Sequence, residues 1–596
     1  MTDALSHRGP DGEGFWQNDN RQVLFGHRRL SIIDLSEKAA QPLHYLERYT
    51  IIHNGEIYNY VEVREELTRF GYNFHSQSDT EVITAAYDHW KEECVDHFDG
   101  MFSFTIYDDR EKTIFAARDR FGEKPFFYSY DKVKQVFCFA SEIKAIWALG
   151  LKRDPNLKML FNFLTIGYVD NPSYLQETFD NQIEKLPPAH LLQIKMGDGL
   201  NITMEKYWDL DFEDDDKKIS DGDAIEKFNQ LFLTSVKRRL RSDVTLGTSL
   251  SGGIDSSSIV ATICNQKNTG IGLKTFSAIF PAFEKNEEQY IDLIARQFNL
   301  QSHKTEISVD ELPSLFQAVT YQQDEPIASA SALPQFKVFQ LARDNNVKVL
   351  LDGQGADETL AGYSKYYKWY WQELFRKRKL LRSGEMKAAR ANGVTEKFGV
   401  QNIISSLVPD FASVFLERQY LLHALRQEDL NRDFVHYQSK EAYYATPAMF
   451  SLNGILYFNS CMHGLEELLR YADRNSMSHG REVRLPFLSH ELVEFIFSLP
   501  SNFKIRNGWT KWMLRKAKEK DLPQQIVWRK DKVGFEPPQL IWMQLPEVKE
   551  MIHAAKKKLV DQKILKPSVL TKEQKPMSSY EKDNYDWRYL SSAQLF

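Results

Sequence analysis

Residues 243–258, DVTLGTSLSGGIDSSS, decide the reading of the fold. A short apolar run ends at Leu250, two glycines follow, and Ile254 opens a stretch of helix-compatible residues. The pattern predicts a strand, a tight loop and a helix. Gly252 and Gly253 let the backbone turn sharply and approach a ligand closely. The hydroxyls of Ser251, Ser256 and Ser257 and the free N–H groups of the helix start would then converge on an anion. An aspartate inside such a cradle needs a cation to bridge it to phosphate, so Asp255 implies Mg²⁺. The plainer alternative, a Gly-Gly turn with a helix cap, accounts for two glycines but not for the whole string. The pattern GxxxxGK followed by Ser or Thr is absent here, which excludes a P-loop enzyme.

Outward from this loop the chain alternates. A helical stretch, AIEKFNQLFLTSVKRRL, precedes it. The strand LKTFSAIF, the helix EEQYIDLIARQF and the strand VKVLLDG follow. Such alternation predicts a parallel α/β sheet. The last strand runs into a second loop, Asp352-Gly353-Gln354-Gly355-Ala356-Asp357-Glu358, placed where open α/β sheets bind ligands. Asp255 and Asp357 are the candidates to share a metal. From about Tyr363 the chain reads as helical, and the basic run RKRKLLR reads as a solvated helix face.

The first 190 residues read differently. Short β runs (VLFGHRRLSIID, YTIIHNGEIYN, FSFTIYD, TIFAARD) are separated by turn formers. A helix is predicted from about Tyr60 to Phe70, and another over DTEVITAAYDHW with Asp79 near its start. The acidic stretch LDFEDDDKKISDGD suggests a linker. The expected organisation is a first domain at 1–190, a linker at 191–223, a second domain at 224–545 and a polar extension at 546–596. With 596 residues, more than one core is expected. A net charge of -6 without basic excess points away from nucleic acid. No apolar run reaches the roughly twenty residues of a bilayer span. Cys94, Cys138, Cys264 and Cys461 are too scattered for a zinc site or disulfide framework. A cytoplasmic protein is expected.

With both loops in view the chain resembles the asparagine synthetases. Further matching strings are Arg470-Tyr471-Ala472-Asp473-Arg474-Asn475-Ser476-Met477, Glu482-Val483-Arg484-Leu485-Pro486-Phe487-Leu488, Lys511 in TKWMLRKA, and RKDKVGFEPP. The resemblance implies that ATP is bound through Ser249, Leu250, Ser251, Gly252, Gly253, Asp255, Ser256, Ser257, Ala278, Asp352, Gly353 and Gln354. It implies Mg²⁺ on Asp255 and Asp357, and Lys511 near the α-phosphate. In the first half HRGPDG (7–12), RLSIID (29–34), HNGEIYN (53–59) and SDTE (78–81) resemble a class II glutaminase, an Ntn-type αββα sandwich. By that resemblance Arg29 takes the glutamine α-carboxylate, Glu56 and Asp79 its ammonium, and Asn54 and Gly55 form the oxyanion hole. These residue types suit those tasks. A homodimer is usual for the family.

Two departures shape the expectation. The family's glutaminase uses an N-terminal cysteine whose own amine is the general base. Here Met1 stands six residues before His7, and Cys94 lies in a predicted helix without a free amine. A gene start set at an internal methionine is the simpler explanation, because the rest of the pocket is intact; an ammonia-dependent enzyme with a relic glutaminase is the other. The polypeptide as written is expected to use ammonia. The second departure is Gln354, where many relatives carry a glutamate; an amide cannot serve as general base. The segment DEPIASASALP also lacks an arginine for the α-carboxylate of aspartate. The expected reaction is amidation of aspartate through an adenylate. The alternatives are another carboxylate acceptor, such as a sugar acid, a peptide or a β-lactam precursor, or a non-catalytic binding protein.

Overall fold

A computed structural model of the chain describes residues 1–212, 219–266, 272–441, 451–530 and 536–596. Part of the expected linker (213–218) and the middle of RKDKVGFEPP (531–535) lie outside the described residues.

Among the described residues, the first half is built on a six-stranded antiparallel sheet. Its strands run in the order Leu200–Lys206, His190–Met196, Thr113–Arg118, Gly100–Asp108, Tyr49–Ile57, Leu43–Tyr45. The central pair, Tyr49–Ile57 and Gly100–Asp108, is almost wholly buried. Near-continuous apolar runs such as MFSFTIY suit a sheet covered on both faces. Helices Tyr60–Arg69 and Asp79–Trp90 pack Val63, Leu67, Val82 and Ile83 into the same core. On the other face lie the hairpin Gly12–Gln17/Leu24–Arg29 and a small sheet of Val136–Ala140, Phe127–Asp131 and Glu184–Lys185. Outside this layer, Ile143 and Ile146 of helix Ile143–Trp147 pack on Phe127 and Ala140. The layers are those of an αββα sandwich.

The second half holds a five-stranded parallel sheet in the order Gln301–Thr305, Lys274–Ala278, Leu246–Ser249, Val349–Leu351, Glu482–Arg484. Its first strand in sequence, Leu246–Ser249, stands in the centre. One neighbour is Lys274–Ala278 and the other Val349–Leu351, so strand order reverses beside it. That reversal opens a crevice at the carboxyl ends of the strands.

Two expected boundaries need correction. Residues 191–223 are not a linker throughout, because His190–Met196 and Leu200–Lys206 pair across seven positions and extend the large sheet. Residues 546–596 are not merely a polar extension. Helix Pro546–Asp561 buries Val548, Ile552, Ala555 and Leu559 along one stripe while most of its lysines face outward. Helix Tyr585–Ser592 buries Trp587 and Tyr589. Arg588 then donates to the carbonyls of Leu164 and Thr165 at 3.3 and 3.0 Å, fastening this segment to helix Leu157–Ile166. The basic run RKRKLLR is exposed from Lys377 onward except for buried Leu380, and its first residue, Arg376, is half-buried.

Candidate active site

The loop Leu250–Gly253 links strand Leu246–Ser249 to helix Ile254–Cys264. Gly252 adopts φ +73°, and a Cβ there would lie 2.7 Å from that of Tyr290, so a side chain would be both strained and crowded. The loop is braced internally: the Ser251 and Ser256 hydroxyls are 3.2 Å apart, and the Ser256 hydroxyl accepts from the Ser251 N–H at 3.2 Å. The second loop leaves strand Val349–Leu351 beside it. A Cβ on Gly353 would meet Asp255 Cβ at 3.0 Å and Ser256 N at 3.1 Å. A side chain there would push the two loops a few tenths of an ångström apart.

Lys511 joins them. Its ammonium lies 2.8 and 2.7 Å from the two carboxylate oxygens of Asp255 and also pairs with Asp357. It is 2 % exposed. A Cβ on Gly362 would lie 1.8 Å from Asp357 Oδ1 and 2.3 Å from Lys511 Cε. Gly362 is therefore a site residue that motif reading missed, although LAGY stands next to the second loop. Burial pushes the Asp352 carboxyl up, and Asp255 adds to the shift. Burial and then Asp357 push Glu358 up, and the Tyr363 hydroxyl donates to it at 2.5 Å.

A cavity of about 460 Å³ opens over these loops. Of the nucleotide set, Ser249, Leu250, Ser251, Asp255, Ser256, Ala278, Asp352, Gly353 and Gln354 line it. Ser257 does not: it is fully buried beneath the loop, and its hydroxyl has no hydrogen-bond partner. Gly252 and Gly253 shape the wall without lining it. Asp255 and Asp357 converge on the Lys511 nitrogen, which holds the two carboxylates close together. Among the described residues no cluster of three or more acidic, His or Cys side chains could hold a metal. Two carboxylates completed by phosphate oxygens is the usual mode for Mg²⁺, and the residues present fit it. Of the described cations lining the cavity, Lys285 pairs with Glu536 and Arg529 with Glu287, each at 2.7 Å. Arg470 meets the segment DEPIASASALP but is bonded there to Glu325 at 2.9 Å.

The first half contains a larger cavity, about 980 Å³, between its two β layers. Arg29, Asn54, Gly55, Glu56 and Asp79 all line it. Arg29 is held by the carbonyls of Asp34 and Ser36 at 2.5 and 2.9 Å. Gly55 has φ +135°, and a Cβ would sit 2.0 Å from the Met101 carbonyl oxygen. Asp79 accepts from the Ile57 N–H at 2.9 Å, yet burial lifts its pKa to about 6. Glu56 is raised by burial, by Asp79 and by Glu482. Glu482 also lines this cavity, although it belongs to the other half's sheet.

Residues 227–592 match the asparagine synthase family, and residues 1–208 match the glutamine amidotransferase domain. The chain is 32% identical over 559 residues to the glutamine-hydrolyzing asparagine synthetase 1 of Bacillus subtilis, spanning 91% of this chain and 84% of that one. It is 33% identical over 558 residues to asparagine synthetase 3 of the same organism, spanning 89% and 82%. A putative asparagine synthetase 2 of Methanocaldococcus jannaschii is 35% identical over 63% of this chain and 74% of its own. The chain thus belongs to the asparagine synthase family of amide-forming ligases, with a glutamine amidotransferase domain preceding its synthase part.

Proposed function

We propose that the chain converts a side-chain carboxylate, that of aspartate, into an amide by way of an acyl-adenylate. The observation that carries this reading is the meeting of Asp255, Asp357 and Lys511 between two glycine loops at the switch point of a parallel sheet. In this reading the N–H groups and hydroxyls of residues 251–256 receive the β- and γ-phosphates of ATP. Asp255 and Asp357 would hold Mg²⁺, which would supply positive charge to the pyrophosphate group when bound. Lys511 stabilises negative charge gathering at the α-phosphate as a carboxylate oxygen bonds to it and the bond to pyrophosphate breaks. Ammonia then attacks the acyl carbon, AMP leaves with the bonding pair, and a proton passes from nitrogen to solvent or a neighbouring base. Gln354 lines the site as a hydrogen-bonding group and not as that base.

Arg29, Asn54, Gly55, Glu56 and Asp79 form the glutamine pocket of this reading, with Arg29 at the α-carboxylate and the two acids at the ammonium. Ammonia supplied directly serves as the nitrogen source of the synthase half. The test is pyrophosphate release and asparagine formation with Mg-ATP and aspartate, comparing ammonium with glutamine. Asparagine from ammonium supports the reading; neither product from either source sinks it. A second reading, another carboxylate acceptor, draws on the pairing of Lys285 and Arg529 with carboxylates, which leaves neither side chain fully available to aspartate's α-carboxylate. Pyrophosphate release with a sugar acid but not with aspartate would favour it.

A further inference from the structure

Strand Glu482–Arg484 closes one edge of the parallel sheet, and all three of its residues are buried. Its last residue faces two ways. The Arg484 carbonyl accepts the Asp352 N–H at 3.0 Å, at the first residue of the second nucleotide loop. The Arg484 side chain is anchored in its own half, and its tip reaches the other half beside Tyr58. Its Nε donates to Glu482 at 2.8 Å, and Nη1 donates to the carbonyls of Arg239 and Arg241 at 2.9 and 2.5 Å. Nη2 has no hydrogen-bond partner and stands 3.7 Å from Glu56 Oε1, while Glu56 Oε2 is likewise unpartnered. Arg484 is 0 % exposed.

A buried guanidinium nitrogen left without a hydrogen bond, 3.7 Å from a carboxylate whose other oxygen is also unpartnered, is costly. The other two nitrogens of the Arg484 guanidinium are satisfied, so the contact with Glu56 is where this side chain can respond. We infer that Arg484 is a positioning residue that couples occupancy of the glutamine ammonium site at Glu56 and Asp79 to the geometry of the loop Asp352–Glu358. The inference rests on the proposed glutamine pocket. An ammonium arriving between Glu56 and Asp79 favours their ionised forms. The charge on Glu56 then draws Nη2 across the remaining gap. The backbone of Arg484 is tied in register to Leu351, so the strand carries that adjustment to the Asp352 N–H without any intervening side chain. Linkage makes the effect reciprocal: nucleotide bound at the loop changes glutamine affinity by the same factor.

The test is calorimetric titration of the full chain with glutamine, with and without saturating Mg²⁺ and a non-hydrolysable ATP analogue. In the wild type the nucleotide should change glutamine affinity about fivefold or more, the lower end of typical coupling. In Arg484→Lys, which keeps a charge but cannot hold Glu482, both carbonyls and Glu56 together, the ratio should fall to near one. A role limited to stability would weaken both affinities and leave their ratio intact. Glu482→Gln removes the charge that orients Nε with little change of shape, and keeps the question open to test if Arg484→Lys does not fold. An unchanged ratio in a folded variant, or glutamine binding without linkage in the wild type, overturns the inference alone. Absence of glutamine binding in the wild type overturns the pocket reading, and this inference with it.

Discussion

The Lys511 ammonium lies 2.7 Å from a carboxylate oxygen of Asp255, although 256 residues separate the two in sequence. Asp357 reaches the same nitrogen from the second loop. Lys511 itself adopts φ +52° at the start of helix Trp512–Lys518. A lysine so nearly buried is expensive to desolvate, and the two acids offset that cost.

Removing that cation should separate chemistry from stability. Lys511→Met should lower pyrophosphate release by about a hundredfold or more, the scale of losing a donor aimed at developing charge. It should also cost about 3 kcal/mol of stability, because two carboxylates lose their partner. Pyrophosphate release together with urea unfolding of the same preparation checks both figures. Wild-type rates in a folded variant would remove Lys511 from the chemistry.

Gly362→Ala should cost activity out of proportion to its size. The added methyl would meet Asp357 Oδ1 and Lys511 Cε far inside contact distance, so the carboxylate and the lysine must part. A misplacement of about 1 Å costs on the order of a hundredfold in rate. Steady-state rates with Mg-ATP, aspartate and ammonium, beside a circular dichroism spectrum, decide the point.

Glutamine binding should depend on pH through Asp79. Burial lifts this carboxyl to about 6. Between about pH 4 and pH 6 the folded chain therefore holds a proton that the unfolded chain has lost. Its contribution to stability is present at low pH and is lost as pH rises through about 6. An ammonium ligand needs Asp79 and Glu56 ionised, so affinity should climb as pH rises through about 6, and Glu56, whose carboxyl burial also raises, extends the climb upward. Asp79→Asn should weaken binding and flatten this step. Titrations from pH 5 to pH 8 would show it, and a flat wild-type profile would contradict the assignment.

The C-terminal segment should prove indispensable to folding. Trp587 is 2 % exposed, and its indole N–H donates to the Ile327 carbonyl at 3.1 Å, while Ser591 Oγ accepts from the Ile327 N–H at 2.7 Å. Trp587→Ala should cost about 3–5 kcal/mol, read as a lower urea midpoint, and should loosen the segment DEPIASASALP.

Omission of Mg²⁺ or addition of a chelator should abolish pyrophosphate release, and Asp255→Asn should raise the Mg²⁺ concentration needed for half-maximal rate. Unaltered Mg²⁺ dependence in a folded Asp255→Asn protein would show that the ion is held elsewhere.

The strings SGGIDSS, DGQGADE and HNGEIYN made both loop regions legible in the sequence, because tight glycine turns and helix starts are local devices whose geometry a few consecutive residues impose. Alternation of strand and helix likewise revealed the parallel sheet. Local pattern could not show that His190–Met196 and Leu200–Lys206 belong to the first domain's large sheet, since pairing partners more than seventy residues away decide it. Nor could it show that a lysine-rich tail buries Trp587 and Tyr589, because its apolar stripe acquires meaning only against helix Leu157–Ile166 and Ile327. Gly362 and Arg484 stand in plain view in LAGY and EVRLPF. Their importance arises from what packs against them: a carboxylate and a lysine in one case, Glu56 at the wall of the first half's cavity in the other. Sequence determined which residue types each loop presents, and tertiary structure alone decided which loops meet, because that depends on burial and on contacts between segments hundreds of residues apart.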